Sequence, residues 1–63
     1  MNNYRKTILE CLDSNLINAR WDNDLLLVDQ NKGAESVFTA LKQVMSAGQM
    51  PAVLEVPASE LLH

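Results

Sequence analysis

The fold turns on residues 15–33, NLINARWDNDLLLVDQNKG, and within them on the four consecutive apolar residues Leu25-Leu26-Leu27-Val28 that follow the acidic stretch Asp22-Asn23-Asp24. A strand with one wet face alternates apolar and polar residues, because successive side chains point to opposite sides of the sheet. Upstream the alternation is clean: Ile17, Ala19 and Trp21 interleave with Asn18, Arg20 and Asp22. The acidic stretch is turn chemistry, and Asn23 is its residue best able to take a left-handed backbone. Residues 25–29 then return as the second strand of a hairpin. With Ile17, Ala19 and Trp21 toward a core, pairing across the turn makes Leu26 and Val28 their partners. Leu25 and Leu27 are left pointing to the other face.

The flanks supply helices. NNYRKTILECLD reads as a helix capped by Asn2 or Asn3, with Tyr4, Ile8, Cys11 and Leu12 on one stripe; either Asp13-Ser14-Asn15 end it or it runs on through Leu16 toward Ala19. Beyond the loop at residues 30–33, Val37, Phe38, Leu41, Val44 and Met45 form the stripe of a second helix, which Gly48 caps and Pro51 closes off. The expected fold is a small α+β domain of order α-β-β-α, with room for a third helix, in which a two-stranded antiparallel hairpin packs on helices. Residues 1–63 form one domain with its core in 3–48. In the tail, 49–63, the segment Ala52-Val53-Leu54-Glu55-Val56 between Pro51 and Pro57 is either a short helix or extended. Ser59-Glu60-Leu61-Leu62 offers one more helical turn.

Composition narrows the function classes. Sixty-three residues allow one small core, and domains of that size need very good packing, a staple or a partner chain. One cysteine excludes an intrachain disulfide, and one histidine excludes zinc-finger spacing. A net charge of −3 with scattered cations (Arg5, Lys6, Arg20, Lys32, Lys42) argues against binding a phosphate backbone. No run approaches the ~20 apolar residues of a membrane span, and no signal-peptide core is present, so the cytoplasm is the default. Asp22, Asp24, Asp29 and Glu35 fail as a calcium loop: a register starting at Asp24 puts Leu26 and Val28 where oxygen ligands belong. Cys11 sits on an apolar stripe, and the only His is the last residue, so no nucleophile–base pair is assigned. Trp21, Met45 and Met50 are expected to pack. No catalytic, cofactor or metal residues are expected.

Leu25 and Leu27 need a cover, either the chain's own tail or a partner chain. An edge strand with unpaired amides is a template for strand addition. The run from Leu16 to Ala34 resembles the β-hairpin docking domains at the N-termini of nonribosomal peptide synthetase and hybrid polyketide synthase subunits, the TubC N-terminal type. Ile17 and Trp21, the turn, Leu26 and Val28, and Lys32-Gly33-Ala34 match that pattern without a gap. The resemblance departs at three places. Leu16 stands where the family has Gly. The second helix lacks the usual A-x-K-x-x-L-L continuation, so a third helix must come from Pro51–Leu62 or be absent. Leu25, Leu27 and Asp29 stand where the family often carries Arg or Lys.

The resemblance implies a non-catalytic docking module in natural-product biosynthesis. The C-terminal tail of an upstream synthetase subunit would pair with the edge of strand 25–29 and contact Arg20, Leu25, Leu27, Asp29 and Lys32. That tail would be more apolar and less acidic than is usual in the family. The exposed leucines also favour a homodimer. The rival reading is a stand-alone small acidic protein, of phage or mobile-element type, that binds and inhibits a host protein.

Overall fold

In the computed structural model, which describes residues 3–62, helix α1 spans Asn3–Ser14 and buries Ile8 and Leu12, with Cys11 half-buried beside them. Asn2, the alternative cap, lies outside the described residues. The helix ends in a Schellman motif: Ile17 N–H donates to the Leu12 carbonyl at 2.8 Å, and Leu16 N–H donates to the Asp13 carbonyl at 3.0 Å. This places Leu16 at the left-handed position of the motif, with φ 61°, while 81% of it is exposed. Glycine is the usual occupant there, because a Cβ crowds the backbone. The departure at Leu16 therefore carries a cost in stability and returns little buried area. Leu16→Gly should raise stability by about 0.5–1 kcal/mol, a gain of several degrees in Tm for a domain of this size, read by thermal denaturation.

Strand β1, Ala19–Asp22, and strand β2, Leu25–Asp29, form the expected hairpin around Asn23, whose φ is 55°. Ala19 pairs with Val28 and Trp21 with Leu26, as the alternation requires. Ile17 is buried, although it precedes β1.

The tail contributes a third strand. β3, Ala52–Val56, runs parallel to β2 with Leu26 opposite Val53 and Leu27 opposite Leu54, giving the sheet order β1-β2-β3. A parallel pair needs a crossover, and helix α2, Ala34–Leu41, supplies it, so residues 25–56 are a β-α-β unit. The strand at 25–29 is thus the centre of the sheet and not its edge. That explains the apolar run: a strand covered on both faces reads as continuous rather than alternating.

One face of the sheet carries the helices, and there Ile8, Leu12, Ile17, Leu26, Val28, Val37, Ala40 and Leu41 make one buried cluster. Val53 and Met50 pack against it from the tail side, which extends the core beyond residue 48. On the other face Leu27 and Val56 are buried outside that cluster, at 4% and 8% exposure. A 3₁₀ turn at Ala58–Leu61 lies against β2. Arg20 ties it down by donating from Nε to the Glu60 carbonyl at 2.7 Å.

α2 is shorter than its apolar stripe implies. After Leu41 the bonds tighten, with Gln43 N–H donating to the Ala40 carbonyl and Val44 N–H to that of Leu41, and Val44 is left 47% exposed. A new 3₁₀ turn at Ala47–Gln49 follows, where the Gln49 side-chain carbonyl accepts from the Ser46 amide and hydroxyl. Ser46-x-x-Gln49 is a capping-box pattern and is the local signal that the helix has already stopped.

Candidate functional site

The residues expected to meet a partner do not form one exposed surface. Leu27 is interior, and Leu25 is half-buried at the start of the central strand. Strand addition at residues 25–29 is excluded because β2 spends both edges inside the sheet. Asp29 N–H donates to the Asn18 carbonyl on the β1 side, and Gln30 N–H donates to the Val56 carbonyl on the β3 side. The Asp29 carboxylate accepts from Asn31 N–H at 2.9 Å and so serves its own turn. Arg20 is half-buried and held by Glu60. Of the five, Lys32 alone is exposed.

Hydrogen-bond parity shows where the sheet is open. Because Asn18 and Asp29 are a bonded pair in the antiparallel ladder, Arg20 and Asp22 also turn their backbone groups toward β2, and Ala19 and Trp21 turn theirs outward. Because Val56 bonds Gln30, Ala52 and Leu54 likewise face β2, and Val53 and Glu55 face outward. The sheet therefore presents two open backbone edges, β1 and β3.

The β1 edge ends in an aromatic cluster. Trp21 is half-buried and packs against the core cluster, as expected of it. Its Nε1 donates to the Arg5 carbonyl at 3.3 Å, the Arg5 guanidinium lies 4.7 Å from the ring centroid, and Tyr4 stands 6.3 Å away in a tilted arrangement. A cation over an indole face is attracted to the ring quadrupole. Arg5 also pairs with Asp24 at 2.6 Å, although Asp24 is fully exposed.

The β3 edge is different. Val53 faces the core, and Glu55 reaches the start of α2, where Oε2 accepts from Ala34 N–H at 2.6 Å. A carboxylate at a helix N-terminus satisfies an orphan donor and complements the helix dipole. Gly33, which precedes the helix, offers no side-chain cap, so the cap comes from a strand 21 residues away in sequence. On the opposite face Leu54, beside buried Leu27, is 47% exposed.

Two open grooves lie where α1 meets α2. One, of about 350 Å³, is lined by Lys32, Glu35, Ser36, Thr39 and Gln43 among others, and the second, of about 300 Å³, shares Asn15 and Gln43 with it. Cys11 lines the smaller groove and donates from Sγ to the Ala40 carbonyl at 3.3 Å, a contact between the two helices. Among the described residues no group of three or more His, Cys, Asp or Glu is placed to hold a metal ion, and no helix is long and apolar enough to cross a membrane. His63 lies outside the described residues.

The outward β3 edge was hidden from sequence reasoning by the two readings its segment allowed. Its one signal was the pair of β-branched residues, Val53 and Val56, in a five-residue run bounded by Pro51 and Pro57. Compared with known proteins, the chain matches no family model, no curated protein and no solved structure, so a functional reading rests on its two open edges.

Proposed function

We propose that the chain is a non-catalytic protein–protein docking module, and that its partner is the C-terminal tail of an upstream nonribosomal peptide or polyketide synthetase subunit. The tail adds as a fourth strand to the outer edge of β3. One observation carries this reading: β3 turns the backbone groups of Val53 and Glu55 outward and holds a half-exposed leucine, Leu54, on the face beside them. Main-chain hydrogen bonds supply affinity in such complexes and alternate side chains supply selectivity. Support for the partner class comes from the likeness over Leu16–Ala34 and the α-β-β-α order. The docking edge moves one strand outward from the family position, because β3 occupies the flank of β2.

An apolar tail suits this edge. Its side chains on the far face meet Leu54 and Ala52, and Lys32, whose amide bonds to the Asp29 carbonyl opposite Val56, supplies a cation near the end of β3. Titrating upstream C-terminal peptides should shift the amides of Val53 and Glu55 first in NMR spectra. Leu54→Glu should weaken peptide binding by about tenfold or more while circular dichroism stays unchanged. Shifts confined to the grooves between α1 and α2, or unchanged binding by Leu54→Glu, would exclude strand addition here.

A further inference from the structure

We propose that two copies of this chain associate edge to edge through β1, in a two-fold register centred on Trp21, joining their sheets into one six-stranded sheet. This inference rests on β1 alone and is independent of the docking reading, which uses β3.

A two-fold antiparallel pairing of β1 with its copy must bond residues whose backbone groups point outward, here Ala19 and Trp21. Trp21 opposite Trp21 of the second copy satisfies that parity. The same register puts Arg20 opposite the second copy's Asp22, and Asp22 opposite its Arg20. These are non-bonded positions of the new ladder, where facing side chains come closest. Both ion pairs lie on the far face, and the two Trp21 rings meet on the helix face.

The neighbouring registers are worse. Sliding one way sets Arg20 against Arg20 on the axis, and sliding the other way sets Asp22 against Asp22. Like charges directly opposite one another destabilise a pair of strands. The four-residue strand Ala-Arg-Trp-Asp is thus self-complementary in one register.

The groups needed are in position. Asp22 is exposed, and its side chain takes part in no ion pair among the described residues. Arg20 uses Nε for the Glu60 carbonyl, which orients the guanidinium and leaves its terminal nitrogens to a carboxylate. A closed isologous contact of this kind also protects an edge that would otherwise template open-ended addition.

The contact is small, so a weak dimer is expected, seen by sedimentation equilibrium at concentrations up to about 1 mM. Arg20→Asp alone and Asp22→Arg alone each set like charges opposite one another at both sites, and each should raise the dimer Kd by about tenfold or more. An equimolar mixture of the two variants should associate again as a heterodimer, because both cross-copy pairs become complementary. Loss of a merely structural role would not be rescued by mixing. Should Arg20→Asp fail to fold without its bond to Glu60, Asp22→Arg and the wild type are compared separately, with a salt titration of the wild type. Asp22→Arg must then be monomeric, and wild-type association must weaken with salt. A wild-type chain that stays monomeric at about 1 mM overturns the proposal. So does a variant mixture no more associated than its components, or association indifferent to Asp22→Arg. Leu54→Glu should leave this dimer intact, which separates its outcome from that of the docking test.

Discussion

Leu27→Ala should lower the unfolding free energy by about 2–4 kcal/mol, whereas Leu25→Ala, two residues earlier on the same face, should cost less than about 1 kcal/mol. The contrast follows from position. Leu27 is 4% exposed at the centre of the middle strand, between Arg20 and Leu54, with the 3₁₀ turn at Ala58–Leu61 against that strand. Leu25 lies at the strand's start, between Asp22 and Ala52, both exposed. A domain of this length has only about 3–9 kcal/mol of stability in all, so Leu27→Ala removes a large share of it. Leu27→Glu should cost more than Leu27→Ala, because a carboxylate would be desolvated at this site, and the adjacent cation, Arg20, is half-buried and already tied through Nε to the Glu60 carbonyl. Urea denaturation of the three variants checks the order. Equal and small effects at both positions would mean that the far face of the sheet is not closed.

Removing residues 51–63 should unfold the chain. Without β3, the amides and carbonyls of Leu26, Val28 and Gln30 that face it lose their partners, Leu27 loses its neighbour Leu54, and the core loses Val53. Ala34 N–H at the start of α2 loses the Glu55 carboxylate as well. What remains is an isolated hairpin beside two short helices, and a two-stranded sheet is marginal in water. Circular dichroism and amide dispersion should show a largely disordered fragment. A fragment 1–50 that kept native dispersion would instead mark the tail as an appendage, the division the sequence alone favoured. The variant and the truncation test the same architectural point from opposite ends, because each breaks the far side of β2.

The errors of sequence reasoning here share a cause. Hairpin register was legible because period-2 alternation in residues 17–22 and turn chemistry at 22–24 are local. The stripe of α1 was legible for the same reason, and its end at Ser14 is the shorter of the two that the sequence allows. Leu25 and Leu27 do lie on the face opposite Leu26 and Val28, and of the two covers open to Leu27 it is the chain's own tail that closes over it. Whether such a residue is covered depends on what the chain does some 25–30 residues later. A short apolar run suits both a sticky edge strand and a strand buried on two faces. The length of α2 was misjudged because Val44 and Met45 continue the apolar spacing past the point where the backbone turns. Trp21 packs against the core, as the alternation requires, but from an edge strand where Arg5 and Tyr4 also flank it.

The α+β class, the hairpin with its register and the order α-β-β-α are local, each following from spacing within a dozen residues. Contacts between distant segments set the rest: residues 52–56 enter the sheet parallel to β2, Leu27 is interior, and the open edges are β1 and β3. Parallel pairing has no local signature. It is selected by the reach of the α2 crossover and by the burial of Leu27, Val53 and Val56 that the third strand completes.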